Sequence, residues 1–518
     1  MLGSVVITGR DLSPQALAAV ARDGASVTID VAARERIRAA AATVARAVES
    51  GRPVYGVTTG LGHRVVDAVD GAEAAEFSLR TLRGRATSVG DPLSRELTRA
   101  AMVVRLNGLC AGGAGAGEAV ADGLVALLNT GVHPRVPRSG SVGAADLCMM
   151  AHIGLGLIGE GEAEYGGELV PAAQALEHAG LAPVVLRAKD GLAICSSSAV
   201  SIGAATLALV DAEAWLLATQ VAAALSMEGF RANLTPLDPR VVDARPAPGQ
   251  RWAADGLRGL LAGGSLTEPD AARRLQDPLS FRCASQVNGS LRFALEVLAQ
   301  ALEPELTGAA DNPVVLADDD AILSNGNFHI PALAMALDAA AIAIAQVAAV
   351  ITERQARLKV ARLSGLPQNL AGADSSDPSR SGMAPLTKTA QALTLEIRHR
   401  AAPLSVHSTV GADGVEDDST GAAQGALRLG EQLQRLRLLV AVELLVAAQA
   451  VDAAAVDRLG AGTEAAYRCV RETVAELTDD RALGPDVERL AAAALGSDRA
   501  LLRRVDAALV ETGASVGG

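Results

Sequence analysis

Tyr55 is the leading candidate for acid–base chemistry in this sequence. It opens the glycine-rich stretch Tyr55-Gly56-Val57-Thr58-Thr59-Gly60-Leu61-Gly62, and it is one of only three tyrosines among 518 residues. An ordinary tyrosine has a pKa of about 10, so a basic role near neutral pH requires about 4 kcal/mol of extra stabilisation of the phenolate. Helix N-termini and a nearby cation can supply it. Tyr55 is therefore either a catalytic base or a buried tyrosine whose hydroxyl bonds to the backbone.

Arg282 is the candidate for holding a substrate carboxylate. Its guanidinium offers a two-pronged donor that matches a carboxylate, and such a charged hydrogen bond contributes about 1.5–3 kcal/mol. The alternative is a structural ion pair with an acid such as Asp277.

Other polar and aromatic side chains could complete a binding site. The amides are either neighbours of a substrate or groups that satisfy loop hydrogen bonds, and they are Gln276, Asn312 and Asn327. Phe328 either contacts the apolar part of a substrate or belongs to the core. Glu416 either binds an amine or acts as a second acid–base group. Alternatively, Glu416 belongs to a solvated acidic loop with Asp413, Asp417 and Asp418.

The elements that position these residues are predicted to be helices. Hydrophobic residues make up 50% of the chain but aromatic residues only 2%, because the apolar content is largely Ala, Leu and Val, and Ala is the best helix former. A helical apolar period covers 199–300 and 332–362, with further helices at 386–400 and 420–450. Asp146 is predicted to be the N-cap of a helix over 147–158. Three regions are expected: 1–198, loop-rich; 199–475, a central helical bundle; and 476–518, helices and a tail.

Composition argues against several classes of partner. The net charge is −13 and no Lys/Arg-rich block occurs, which disfavours nucleic acid and anionic membranes as partners. The most apolar segments, 199–227 and 337–351, contain charged or polar residues and are predicted to be bundle helices rather than membrane spans. We see no signal peptide. Five cysteines without a CxxC spacing favour a reduced, cytoplasmic protein, and the seven histidines lack metal-site spacing, so no metal is expected.

The stretch Gly140-Ser141-Val142-Gly143-Ala144-Ala145-Asp146-Leu147, followed by Leu157-Ile158-Gly159-Glu160-Gly161, resembles the signature of the histidine/phenylalanine (aromatic amino acid) ammonia-lyase family. Further stretches match that family in the expected order, and they are the Tyr55 loop, Lys189-Asp190-Gly191-Leu192-Ala193-Ile194, Gln276-Asp277-Pro278-Leu279-Ser280-Phe281-Arg282-Cys283, Asp311-Asn312-Pro313, Gly326-Asn327-Phe328-His329, Leu363-Ser364-Gly365-Leu366-Pro367 and Glu416-Asp417. The resemblance covers roughly residues 50–450. It implies a mainly α fold, a long-helix bundle of the fumarase/aspartase-like type with a loop-rich N-terminal region. It also implies a homotetramer whose active sites draw on several subunits.

The resemblance fails at the reactive centre of the signature. In that family an Ala-Ser-Gly triad cyclises and loses two waters, which gives an electrophilic methylidene-imidazolone group (MIO) that activates the substrate. Here Ala144 and Ala145 precede Asp146, one residue short of the usual GSVGASGDL, and neither alanine has a β-oxygen to eliminate. Ser141 is the nearest serine, but it is followed by Val142 rather than by glycine. We therefore expect no MIO and no other cofactor.

The other departures also lie at family site positions. The resemblance implies that Tyr55 is the catalytic base and that Arg282 holds the substrate carboxylate. Four family residues are replaced, an asparagine by Thr58, a histidine by Arg85, a second asparagine by Ser196 and a tyrosine by Leu279. Arg85 is then the candidate cation near Tyr55.

Three functions fit this combination. The first is an enzyme without MIO, in which Tyr55 takes a proton from a small carboxylate held by Arg282, leading to elimination, isomerisation or cyclisation. The second is a true ammonia-lyase or aminomutase. The third is a catalytically inactive subunit or binding protein.

Overall fold

The chain folds mainly into α-helices. The computed structural model describes residues 3–371 and 379–512. In these ranges the α-helices are α1 (Pro14–Arg22), α2 (Val31–Glu49), α3 (Ala74–Arg85), α4 (Arg95–Ala111), α5 (Glu118–Thr130), α6 (Leu147–Leu157), α7 (Ala172–His178), α8 (Asp190–Cys195), α9 (Ala199–Phe230), α10 (Pro239–Ala244), α11 (Gln250–Leu261), α12 (Leu279–Arg282), α13 (Ala284–Thr307), α14 (Pro331–Leu358), α15 (Ala361–Ser364), α16 (Leu386–His399), α17 (Ala422–Ala454), α18 (Ala461–Thr473), α19 (Gly484–Leu495) and α20 (Ala500–Thr512).

Strands are short and concentrate in the N-terminal part of the chain. They are β1 (Ser4–Ile7), β2 (Ser26–Ile29), β3 (Val89–Pro92), β4 (His133–Pro134), β5 (Pro137–Ser139), β6 (Glu162–Tyr165), β7 (Glu168–Pro171), β8 (Val314–Leu316) and β9 (Ala321–Leu323). β1 and β2 pair in parallel, Ser4 with Ser26. The pairs β3–β5, β4–β6, β6–β7 and β8–β9 are antiparallel. The predicted mainly α fold with a loop-rich N-terminal region is confirmed.

The longest apolar helices are interior elements. α9 is apolar on all sides, as expected of a helix surrounded by protein. Asp190–Phe230 and Pro331–Leu358 are long and apolar enough to cross a membrane by length and composition, and their apolar windows are 100% and 61% buried. This burial agrees with the predicted bundle helices at 199–227 and 337–351.

The chain divides into two compact units, each built from three separate stretches. The first unit comprises Met1–Val210, Leu298–Asp338 and Pro403–Gly430, and the second comprises Asp211–Val297, Ala339–Ala402 and Glu431–Gly518. The three-region division predicted from composition is contiguous along the chain, and it stays a prediction. Residues 513–518, the end of its predicted tail, lie outside the described residues.

In the first unit, helix α2 anchors the segment that carries Tyr55. Ala40, Val44 and Ala47 of α2 form a buried cluster with Val54 and Val57. Asp30 directly precedes α2 as its N-cap. Its carboxylate accepts hydrogen bonds from the N–H groups of Ala32 and Ala33, as is typical of an N-cap residue. The Tyr55 loop is thus held at both ends of its first turn by core residues.

In the second unit, α18 packs against α11, α19 and α20. The interior of the second unit contains a buried ion pair, in which Arg354 Nη2 donates to Glu443 Oε2 at 3.0 Å. Ser226 Oγ also donates to Glu443 Oε1, at 3.0 Å. The additional hydrogen bond matters because buried ions must be fully satisfied to be tolerated.

Candidate active site

The loop around Tyr55 is held by its own hydrogen bonds. Val54 N donates to Thr58 Oγ1 at 2.8 Å, and that hydroxyl donates to Arg52 O at 2.7 Å. Gly62 N donates to the phenolic oxygen of Tyr55 at 3.0 Å. Thr58 therefore closes the turn, and the half-buried tyrosine has a backbone donor at its oxygen.

The segment from Gly140 to Asp146 forms a tight loop between β5 and α6. Gly143 has φ +92°, and a side chain there would overlap Thr420 Oγ1 and lie 2.6 Å from Gly421 N, so only glycine fits. Ala145 has φ +61°, a left-handed conformation that costs a non-glycine residue about 1–2 kcal/mol. Ala144 and Ala145 are both buried, at 8% and 5% exposure.

Asp146 is the hub of this loop. Its carboxylate is completely buried and accepts hydrogen bonds from Ser141 Oγ at 2.7 Å, Ser201 N at 2.8 Å and Ser201 Oγ at 3.0 Å. Burial raises the pKa of Asp146, and the bonds from Ser201 and Ser141 oppose that rise. Ser141 also accepts from Gly143 N at 3.1 Å, so the nearest serine to the missing one is occupied by structural bonds.

Asp146 is the N-cap residue of α6, as predicted, but its side chain bonds to a different helix. The side chain makes no cap bond to α6. It bonds instead to Ser201 N, in the first turn of α9. The αL conformation of Ala145 and the bond from Asp146 N to Ser197 O at 2.9 Å accompany this turn toward α9. Four free N–H groups at the start of a 32-residue buried helix need an acceptor, and Asp146 supplies one.

Two other stretches of the first unit meet the loop. Gly421 N donates to Val142 O at 2.9 Å, and Thr420 Oγ1 donates to Gly143 O at 3.0 Å. Ala144 pairs with His329 in an isolated antiparallel bridge. The loop, residues 326–329 and the start of α17 therefore converge around Ala144.

A histidine–carboxylate pair lies at this convergence. His329 Nε2 is 3.0 Å from Asp418 Oδ2. The other carboxylate oxygen of Asp418 accepts from Ser408 Oγ at 3.0 Å and Ser419 N at 2.9 Å. The hydrogen bond with His329, and to a smaller extent the bonds from Ser408 and Ser419, lower the pKa of Asp418.

The predicted substrate-facing residues of the first unit have mixed surroundings. Asn312 Oδ1 accepts from Asn325 N at 3.0 Å, so this amide makes a hydrogen bond within the loop. This is the alternative to substrate binding given for Asn312 above. Asn327 is exposed, Phe328 is half-buried, and Phe328 O accepts from Ser198 Oγ at 2.8 Å. Ser196 is buried at the end of α8.

Arg85 and Glu416 also belong to the first unit. Arg85 ends α3 and is half-buried. Burial raises the pKa of the Cys195 thiol, and the charge of Arg85 partly opposes that rise. Its predicted action on Tyr55 stays a prediction. Glu416 is exposed and lies in a short turn closed by a bridge with Gly411. Ala412, in that turn, lies close to Gly62 of the Tyr55 loop.

Arg282 lies in the second unit and is described there by itself. With the Gln276 amide oriented so that its oxygen faces the guanidinium, Arg282 Nη2 donates to that oxygen at 3.2 Å. Asp277 instead accepts from Asn233 N at 2.6 Å, and within the described ranges it forms no ion pair with Arg282. The Nε of Arg282 is buried and has no hydrogen-bond partner. Leu279, at the start of α12, is 62% exposed.

Among the described residues, no group of three or more His, Cys, Asp or Glu side chains is arranged to hold a metal ion.

The family model for aromatic amino acid lyases matches residues 12–472. The chain belongs to the aromatic amino acid lyase family. The predicted membership of the histidine/phenylalanine ammonia-lyase family is confirmed, and so is the long-helix bundle that it implied.

Known members of the aromatic amino acid lyase family can be aligned with this chain over almost its whole length. Histidine ammonia-lyase of Symbiobacterium thermophilum is 39% identical over 485 residues, which cover 93% of this chain and 95% of the relative. The structure of ergothionase from Treponema denticola, an ergothioneine-degrading enzyme, has 29% identity and a TM-score of 0.90, covering 96% of this chain and 99% of that one. Tyrosine aminomutase from Streptomyces globisporus has 30% identity and a TM-score of 0.90, covering 97% and 98%.

Sequence reasoning missed two features of this candidate site. The hub made by Asp146 with Ser141 and Ser201 joins residues 60 positions apart, and no local pattern connects them. The His329–Asp418 pair was missed although His329 ends a recognised motif and Asp418 follows Glu416-Asp417. The available signal was a histidine at the end of one motif and an extra acid directly after another.

Proposed function

We propose that this lyase family member eliminates a leaving group from a small carboxylate without an internal electrophile. Tyr55 removes a proton from the carbon next to the one bearing the leaving group. Arg282, described by itself in the second unit, keeps the carboxylate-holding role that the family resemblance implies. The observation that carries the proposal is the pair Ala144-Ala145. Neither residue supplies the side-chain oxygen that formation of MIO would eliminate, and Ser141 Oγ is engaged with Asp146 and Gly143. Isomerisation or cyclisation could follow from the same proton removal.

The surroundings of the two residues support these roles. The N–H of Gly62 faces the phenolic oxygen of Tyr55, where it would stabilise developing negative charge. The guanidinium of Arg282 lacks a carboxylate partner in the described part of the second unit, and its buried Nε is unsatisfied. A buried donor without a partner costs about 1–3 kcal/mol, and a substrate carboxylate would satisfy it.

A second candidate function is a true amino acid ammonia-lyase or aminomutase. It is favoured by the relatives, among them a histidine ammonia-lyase at 39% identity and a tyrosine aminomutase of the same fold. These comparisons support an amino acid as substrate at least as well as they support the first candidate. Histidine and ergothioneine, named for relatives, are the first compounds to test.

The accurate mass of the proteolytic peptide containing Gly140 to Asp146 separates the two candidates. The unmodified mass is expected. A deficit of two waters would establish a prosthetic group and make the ammonia-lyase the leading candidate.

Replacement of Tyr55 by Phe tests whether the chain is catalytic through this residue. We expect Tyr55→Phe to abolish turnover while leaving the circular dichroism and unfolding midpoint unchanged, because among residues 3–371 and 379–512 the hydroxyl accepts only the Gly62 N–H. Tyr165→Phe is the matched control, since that hydroxyl makes only a 3.4 Å bond to His178 O. Unchanged turnover in Tyr55→Phe would remove Tyr55 as the base. An intact chain that turns over none of the test compounds would favour the third possibility, an inactive subunit or binding protein.

We also propose a homotetramer in the cytoplasm. Exposed apolar side chains near Arg282 in the second unit support assembly, with Leu275 92% and Leu279 62% exposed, because exposed apolar clusters commonly mark protein interfaces. Light scattering coupled to gel filtration measures the assembly, and a monomer at micromolar concentration would contradict it.

A further inference from the structure

The His329–Asp418 pair has the geometry of an oriented proton-transfer group. Asp418 is fixed by bonds from Ser408 Oγ and Ser419 N to one oxygen, while its second oxygen faces His329 Nε2 at 3.0 Å. A carboxylate in this position selects the tautomer that carries hydrogen on Nε2. The second ring nitrogen, Nδ1, then remains for other chemistry, and within the described ranges it has no hydrogen-bond partner.

The backbone places this imidazole beside the altered segment. His329 and Ala144 are directly opposite each other in an antiparallel bridge. Directly opposed residues project their side chains to the same face, with Cβ atoms about 5 Å apart. The imidazole therefore lies next to the methyl group of Ala144, the first residue of the segment that takes the place of the MIO triad. The His329 side chain is 25% exposed, so a ligand can reach it.

We propose that His329, oriented by Asp418, donates a proton to the leaving group as it departs. This inference rests on the proposed elimination and deepens it by assigning the residue that activates the leaving group. Without an electrophile on the nitrogen, an uncharged amine would have to depart as an amide anion, which is a very poor leaving group. An imidazolium beside Ala144 removes that obstacle.

The step balances as follows for an uncharged amine. Tyr55 phenolate takes the proton from the β-carbon, and the electrons of that C–H bond form the α,β double bond. The C–N bond breaks, its electron pair stays on nitrogen, and the Nδ1 proton of His329 completes neutral ammonia. Neutral histidine and neutral tyrosine remain, and transfer of the phenol proton to the imidazole through solvent restores the starting state. No oxidant or cofactor is needed.

The alternative is a structural role, in which the pair only joins residues 326–329 to residues 408–419. The two roles differ in their dependence on the leaving group. A proton donor matters for an amine that reacts in its uncharged form, which is the form the step above requires. It does not matter for a trialkylammonium group, which departs as a neutral amine without a proton. A structural tie matters equally for both.

The test compares His329→Gln with wild-type enzyme on L-histidine and on its N,N,N-trimethyl derivative, a pair that differs only in the leaving group. We expect the variant to lose about 100-fold or more in kcat on L-histidine, as for other general acids, and at most a few-fold on the trimethyl derivative. Asp418→Asn should show the same selectivity with a smaller loss. His178→Gln, at an exposed histidine that ends α7, is the matched control and should leave both rates unchanged. Equal losses on both compounds would overturn the proposal.

Failure of the proposed elimination is distinguishable from failure of this assignment. If Tyr55→Phe retains activity while His329→Gln keeps its leaving-group selectivity, the proposed base is wrong and the proton donor stands. If wild-type enzyme turns over neither compound, the elimination fails for this pair, and nitrogen NMR of ¹⁵N-histidine-labelled protein decides. A shift of the His329 Nδ1 signal on addition of L-histidine, absent in Asp418→Asn, supports contact between His329 and the bound compound. An unmoved signal at saturating L-histidine overturns the proposal.

Discussion

Replacing Asp146 by Ala should destabilise the chain strongly. The change removes the acceptor of three hydrogen bonds, from Ser141 Oγ, Ser201 N and Ser201 Oγ. Each buried donor left unsatisfied costs about 1–3 kcal/mol. The two hydroxyls can rotate toward other acceptors, whereas the N–H of Ser201 cannot. Removal of a buried charge recovers part of the loss, so we expect a decrease of about 3–5 kcal/mol in the free energy of unfolding.

Asp146→Asn is the matched control because it keeps the shape of the side chain. Its amide oxygen can still accept from Ser201 N, and its amide nitrogen can donate to Ser141 Oγ. The expected loss is about 1–2 kcal/mol, clearly smaller than that of Asp146→Ala.

The two variants also differ from wild type in pH dependence. Burial raises the pKa of Asp146 in the folded chain. Over the window between the unfolded pKa of about 3.9 and the raised folded pKa, the unfolded chain has lost its proton and the folded chain still holds it. Stability from this group therefore falls as pH rises through the window and is level above it. In Asp146→Asn this fall should be absent.

Urea denaturation at fixed protein concentration, followed by circular dichroism at several pH values, measures both effects. A loss below about 1 kcal/mol for Asp146→Ala would refute the role of Asp146 as the hub that ties the loop to α9. Equal losses in Asp146→Ala and Asp146→Asn would instead show that charge, rather than the hydrogen-bond acceptors, carries the effect.

Two further predictions concern backbone strain and a buried histidine. Ala145→Gly should raise the free energy of unfolding by about 0.5–1 kcal/mol, because φ at Ala145 is +61°. The control Ala144→Gly should lower the free energy of unfolding. Equal effects of the two changes in urea denaturation would contradict backbone strain at Ala145. Burial and the charge of Arg99 lower the pKa of His133 to about 4, so the unfolded chain binds a proton first as pH falls from about 6.5 and stability is lost over that window. His133→Gln, which can still accept from Arg99 Nη1, should reduce this acid loss, and an unchanged slope between pH 6.5 and 4 would contradict it.

The helices could be predicted because their signals are local. The period of apolar residues places α14, α16 and α17 within a few residues of their observed ends. The composition of α9, apolar on every side, correctly indicates an interior helix. The division into compact units could not be read from composition, because each unit gathers three stretches that are distant in sequence.

The site was predictable only as a set of motifs. Sequence order places the Tyr55 loop and the segment at Ala144 among known landmarks, but it does not say which side chains bond to which. The partner of the Asp146 side chain shows why. A local rule assigned Asp146 to the helix that follows it, whereas the αL turn at Ala145 accompanies its bond to α9, 55 residues later. The buried carboxylate of Asp146 accepts from a helix that is distant in sequence instead of from the helix that follows it. A pattern of neighbouring residues in the sequence does not show such a long-range partner.

The loop around Ala144 does not have the features of a site that has merely decayed. Its glycine at 143 is enclosed by Thr420 and Gly421, and Ala145 holds a conformation that costs a non-glycine residue energy. Strain of this kind persists only where the surroundings fix it, and here a buried carboxylate and two crossing chain segments do so. An inert loop would gain stability from Gly at position 145. A loop that must place Ala144 opposite His329 has a reason to stay rigid, and the leaving-group test on His329 decides whether that reason is catalysis.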